Sequence, residues 1–186
     1  MKRTFIAVKI LPGKTVIDIL HDFKRILSGD KIKWVNLDVM HITLNFLGDT
    51  KEDMIPEIIE IIKKVSVRYP SMQLEFSGIG LFRNIRDPRV IWIGMQENKI
   101  LSEIKYNLDL DLKKLGFRMD DRAFRPHLTL GRVKYIRNRD FLEDLLVKYK
   151  EKKVQVSDIS EIIYYESILK PEGPEYIPLY KAKLGK

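Results

Sequence analysis

The sequence predicts an α+β protein built from two similar lobes, on three observations. Apolar residues recur first at strand spacing and then at helix spacing, and this alternation runs through both halves of the chain. No Gly/Ser-rich linker or low-complexity segment divides the halves. A tetrapeptide in the first half, His41-Ile42-Thr43-Leu44, returns in the second as His127-Leu128-Thr129-Leu130. Residues 1–186 are therefore read as a single bilobal domain, within the size that one hydrophobic core supports.

In chain order, Thr4–Ile10 alternates as a strand. Its basic, then apolar start superficially suggests a signal peptide, but Lys9 and Pro12 interrupt it and no small-residue cleavage site follows. Lys14–Leu27 sets Val16, Ile17, Leu20, Phe23, Ile26 and Leu27 at helical intervals, and Ser28-Gly29-Asp30 ends it. Lys33–Val35 and Val39–Leu47 are strand candidates, and a helix runs from about Lys51 to Val67. Met72–Phe82 and Arg89–Met95 form two strands around a turn at Asn84–Pro88. Lys99–Leu115 is amphipathic and stops at Gly116, a common helix terminator. A strand at His127–Val133, a helix at Arg139–Tyr149, a strand-rich segment at Lys153–Glu166 and a last strand at Tyr176–Lys183 complete the chain.

Composition narrows the function classes. Hydrophobic residues are 45% and charged residues 32%, as in globular enzymes. No stretch reaches the roughly 20 apolar residues of a membrane span, so a cytoplasmic protein without a membrane partner is expected. The chain has no cysteine, which excludes disulfides and thiolate metal sites. The net charge of +8 suits a phosphate-rich partner. It is concentrated between Lys113 and Arg139, where nine Lys or Arg face only Asp120 and Asp121. Gly78-Ile79-Gly80 lacks the third glycine and the following helix of a dinucleotide loop.

The repeated tetrapeptide carries the chemistry. Only three histidines and five threonines occur in the chain, yet two of each fall into it. Strand side chains alternate, so His41 and Thr43 share one face while Ile42, Leu44 and Phe46 take the other. The same holds for His127 and Thr129 against Leu128 and Leu130. Packing gives no reason to repeat the polar pair. Two such faces brought together make a cleft with two imidazoles and two hydroxyls. A neutral imidazole can accept a proton from attacking water while a protonated one donates to a leaving oxygen. Threonine hydroxyls can donate to phosphate oxygens as charge develops there. A catalytic zinc site usually takes three protein ligands. With His21 on a helix surface, only two histidines remain, so neither a metal nor another cofactor is expected.

With those residues in view, the sequence resembles the two-histidine (2H) phosphoesterase superfamily, and within it the RNA 2′,3′-cyclic phosphodiesterase group, also called the LigT-like or 2′–5′ RNA ligase family. The likeness spans nearly the whole chain. It runs through Arg3-Thr4-Phe5-Ile6-Ala7, Trp34, His41 to Gly48, Gly78 to Phe82, Pro88 to Trp92, Phe124 to Val133, Glu166 to Pro174 and Tyr176. It implies two pseudo-symmetric antiparallel sheets with outer helices and a central cleft. It also implies opening of a terminal 2′,3′-cyclic phosphate to a 2′-phosphomonoester. The spacing assigns neither proton-transfer role; the resemblance implies His41 as donor to the ribose 3′-oxygen and His127 as acceptor from water. It likewise implies Thr43, Thr129 and Arg132 as phosphate ligands.

Strict alternation would set Arg132 on the face opposite His127 and Arg125 on the same face. Glycine in a strand often marks a bulge, so Gly131 offers a way to re-aim Arg132; Arg125 is kept as a second substrate-binding candidate. Single-stranded RNA is usually held by stacking on aromatics, and Phe46, Phe82, Trp92, Phe124, Tyr135, Trp34 and Tyr164-Tyr165 are available. The expected partner is RNA with a 2′,3′-cyclic phosphate end, tRNA halves included, bound by a monomer. Alternatives at the same site are a 2′,5′-oligonucleotide phosphodiesterase, a 2′–5′ RNA ligase, or an RNA-binding module without turnover.

Overall fold

The computed structural model describes residues 1–120, 122–171 and 173–185. Asp121 of the basic segment and Glu172 of the Glu166–Pro174 stretch lie outside the described residues. The elements in order are β1 (Lys2–Lys9), α1 (Lys14–Ile26), β2 (Lys31–Trp34), β3 (His41–Thr50), α2 (Ile55–Ser66), β4 (Met72–Asn84) and β5 (Asp87–Met95). They continue as α3 (Lys99–Lys114), β6 (His127–Tyr135), α4 (Arg139–Tyr149), β7 (Lys153–Ile159), β8 (Glu161–Leu169) and β9 (Pro174–Lys183).

Two antiparallel sheets result. The first has order β3-β1-β8-β9 and the second β2-β6-β5-β4-β7. Without β2, the second repeats the first, with β6 standing where β3 does. The helices interlock the halves. Helix α1 follows β1 of the first sheet but packs on β7 of the second, and α3 follows β5 of the second but packs on β3 of the first. Helix α2 covers β8 and β9, and α4 covers β4. This exchange explains why no linker composition separates the lobes: there is no free hinge for one.

Most elements lie where periodicity predicts them. The helix expected from Lys51 begins at Ile55, because a short 3₁₀ turn at Glu52–Met54 precedes it and Pro56 occupies the first turn, a position that needs no backbone N–H. Another such turn, Leu37–Val39, delays the strand expected from Val39 until His41. The strand-rich segment splits into β7 and β8 at Ser160. Among the described residues no helix is long and apolar enough to cross a membrane.

The core lies between each sheet and its helices. Ile42, Leu128 and Leu130 are fully enclosed, as are Ile6, Val8, Phe23, Ile58 and Leu108. Burying each such side chain stabilises the fold by about 1.5–3 kcal/mol. That energy holds the apolar faces of β3 and β6 inward, and their polar faces therefore look into the space between the lobes.

Candidate active site

Strand pairing explains the shape of the site. In β3, Thr43 pairs with Ala7 while Asn45 pairs with the adjacent Ile6, so Leu44 is an extra residue. In β6, Thr129 pairs with Trp92 while Gly131 pairs with the adjacent Ile91, so Leu130 is extra. Each His-x-Thr-Leu strand thus carries a bulge at the same place, immediately after its threonine. A bulge reverses the facing of every side chain beyond it.

The consequences differ between lobes. In β3 the reversal turns Asn45 inward, where its Nδ2 donates to Asp109 Oδ1 at 2.6 Å, tying the strand to α3. It turns Phe46 outward to 53% exposure, which corrects the alternation reading that placed Phe46 with the buried Ile42 and Leu44. In β6 the reversal brings Arg132 onto the His127 face and Val133 into the core. Gly131 at the bulge is packed under Trp34 and Ile32 of β2; a Cβ there would lie 2.7 Å from the indole ring. Phe46 and Arg132 occupy equivalent positions, five residues beyond their histidines. The pseudo-twofold is broken there, with an aromatic ring on one side and a guanidinium on the other.

Both imidazoles are oriented alike. His41 Nδ1 lies 2.7 Å from the carbonyl oxygen of Val39, and His127 Nδ1 lies 2.8 Å from that of Arg125. A carbonyl oxygen only accepts, so each Nδ1 carries hydrogen and each Nε2 is the nitrogen that can take up or release a proton. Arg125 thus acts on the site through its backbone, while its side chain is exposed. Each ring is also walled by aromatics. His41 sits 5.0 Å from Phe5 and 5.2 Å from Tyr176 between centroids. His127 stands edge-on to Phe82 at 4.6 Å and lies 6.5 Å from Trp92. Trp92 fits because Gly80 opposite has no side chain; a Cβ there would lie 2.4 Å from the indole.

Electrostatics follow from this enclosure. Burial pushes the His41 pKa below its ordinary 6.5; the Val39 carbonyl opposes this, and the charges of Arg132 and His127 add to it. Burial also lowers His127, opposed by the Arg125 carbonyl and reinforced by Arg132. The Arg132 charge is felt by both histidines and by Tyr176 of the first sheet, so it faces across the cleft. Thr43 and Thr129 lie on the same faces as their histidines, one strand alternation away. His21 is exposed on α1. Among the described residues no three His, Cys, Asp or Glu gather as a metal site.

The profile of the LigT like phosphoesterase family matches the chain twice, over residues 11–92 and 93–176, one match for each histidine strand. The chain belongs to that family. Among curated relatives, an RNA 2′,3′-cyclic phosphodiesterase of Methanothermobacter thermautotrophicus is 34% identical over 176 residues, covering 94% of each chain. One of the same description from Methanocaldococcus jannaschii is 35% identical over 174 residues, 94% of this chain and 96% of the relative. Two solved structures share the LigT-like fold. A Thermus thermophilus protein has a TM-score of 0.81 at 24% identity over 99% of both chains. Escherichia coli LigT complexed with 3′-AMP has a TM-score of 0.78 at 22% identity, covering 100% of this chain and 99% of that one.

Sequence reasoning singled out both histidines, both threonines and Arg132. It did not anticipate the two carbonyl contacts, which depend on backbone geometry that side-chain identities do not encode. Nor did it single out Phe5 and Tyr176 as walls of His41. Phe5 lies two residues from Ala7, the strand partner of Thr43, and so shares its face; sheet register sets that pairing, and local pattern does not contain it.

Proposed function

We propose that this protein hydrolyses RNA 2′,3′-cyclic phosphate ends to 2′-phosphomonoesters through His41 and His127. The observation that carries this reading is the matched pair of imidazoles, each with Nδ1 held by a carbonyl and Nε2 left for the cleft. Relatives described as RNA 2′,3′-cyclic phosphodiesterases, similar over nearly the full chain, support it.

In the reaction, His127 Nε2 accepts a proton from water as the water oxygen bonds to phosphorus. The phosphorus–3′-oxygen bond breaks, and His41 Nε2–H gives its proton to the departing oxygen. Thr43, Thr129 and Arg132 hold the non-bridging oxygens, and the guanidinium fork suits two of them at once. The exposed ring of Phe46, with the Arg3 guanidinium 4.8 Å from its centroid, offers a stacking surface for the terminal base, worth about 1–3 kcal/mol per stacked base. The protein acts as a monomer on RNA ends, those of tRNA halves among them.

The test is turnover of a short RNA ending in a 2′,3′-cyclic phosphate, with EDTA present and the product read by ³¹P NMR. A 2′-phosphomonoester is expected. A 3′-phosphomonoester, or activity lost in EDTA and restored by zinc, would sink the proposal.

The pH dependence follows from the displaced pKa values. Turnover needs one imidazole protonated and one neutral. Both pKa values are lowered in the free protein, so the fully neutral, inactive form takes over as pH rises past the upper one. The pair titrates as a coupled system, and kcat/KM should trace a bell with its maximum on the acid side of neutrality. Bound phosphate, an anion, raises both values, so the kcat profile should lie at higher pH than that of kcat/KM. A kcat/KM that is flat from pH 5 to 9 would contradict the paired roles.

A further inference from the structure

Beyond the His41 wall lies a cavity of about 140 Å³ bordered by Lys9, Asp38, His41, Tyr165, Tyr176 and Lys181. Strand register shows how it is built. Lys9 is the direct partner of His41, and directly paired residues share a face. Thr43, Ala7, Ile163 and Lys181 form one row across four strands, so Lys181 also rises from the cleft face. Phe5 and Tyr165 stack at 5.2 Å in the neighbouring row, and Tyr165 borders the cavity. Val39, whose carbonyl holds His41 Nδ1, also borders the cavity, which places it on the Nδ1 side of the ring, away from the reacting nitrogen.

We propose that this cavity is a subsite for the phosphate on the 5′ side of the terminal nucleotide, so that the protein selects an RNA strand end over a free nucleoside cyclic phosphate. The inference rests on the proposed histidine chemistry. If His41 protonates the 3′-oxygen, the terminal ribose lies against His41, and its 5′ carbon leads past that ring. The next phosphate is then the first anionic group to reach the two ammonium groups. The Glu161 carboxylate stands 4.0 Å from Lys181 Nζ, a loose and exposed pair that leaves the lysine available. The Tyr165 pKa is pushed up to about 12, chiefly by burial and also by Glu161, so its hydroxyl stays neutral and able to donate. Asp38 at the rim supplies an acceptor for a ribose hydroxyl and disfavours a second phosphate.

The experiment compares kcat/KM for three substrates: adenosine 2′,3′-cyclic phosphate, its 5′-phosphorylated form, and the dinucleotide ApA 2′,3′-cyclic phosphate. The parent protein should favour both substrates bearing a 5′ phosphate by roughly tenfold. The double variant Lys9→Ala/Lys181→Ala should bring those ratios close to one, whereas Lys9→Arg/Lys181→Arg should keep them. Equal use of all three substrates by the parent, or a ratio that survives the double alanine change, overturns the subsite. A preference for the dinucleotide alone also overturns it, since a base would then be the recognised group. The ratios report on the cavity and the absolute rates on the histidines, so the two proposals fail separately.

Discussion

His127→Ala and His41→Ala should each lower kcat on a cyclic-phosphate RNA end by about 10²–10⁴-fold, the range of a positioned proton transfer. KM should change far less, because the proposed phosphate ligands Thr43, Thr129 and Arg132 remain in place. The double variant should be little worse than the weaker single one, since residues acting as a unit are not additive. The two losses should differ in pH dependence. Without the acceptor, water attacks unassisted, so the acid limb should disappear and the remaining rate should fall only as the donor loses its proton. Without the donor, the leaving oxygen departs unassisted, and the alkaline limb should disappear. If His127→Ala instead removes the alkaline limb, the assigned roles are reversed while the two-histidine chemistry stands. A loss below fivefold in both single variants would remove the histidines from the mechanism.

The same pair shows how far residues alone foretell the site. Each His-x-Thr-Leu announced a half-buried strand with a polar face, because alternation depends only on side-chain identity and a two-residue period. Duplication announced the second face, and Ile42 and Leu128 are buried as the pattern requires. The reversal of Phe46 was not legible. Nothing in Leu44-Asn45 marks a bulge, and the reversal is stabilised by Asp109, a residue on α3 that is distant in sequence. In the other lobe the glycine at 131 did signal a bulge. Likewise, α1 and α3 cross between lobes, a long-range arrangement that local periodicity does not contain. Local pattern therefore carried the elements and the paired histidine and threonine faces, while long-range packing decided which way the groups just beyond them point.

Arg132 tests that last step directly. Arg132→Ala should cost about 10²–10³-fold in kcat, comparable to removing one donor that stabilises developing negative charge. Arg132→Lys should recover only part of this, because an ammonium is a point charge without the planar fork. Arg125→Ala should change turnover about twofold or less, since the contact it makes to His127 Nδ1 comes from a carbonyl that alanine retains. Removing the Arg132 charge also removes one cause that lowers both histidine pKa values. The pH–kcat/KM bell of Arg132→Ala should therefore move toward alkaline pH as its height falls. A merely structural role would lower the height without moving the bell. Gly131→Ala separates bulge from charge: its Cβ meets Trp34 and Ile32 of β2 at 2.7 and 2.9 Å. It should displace Arg132 with the guanidinium still present, lowering kcat and the melting temperature together. Retention of full activity in Gly131→Ala would mean that Arg132 reaches the phosphate without the bulge, and the geometric account of the site would fail there.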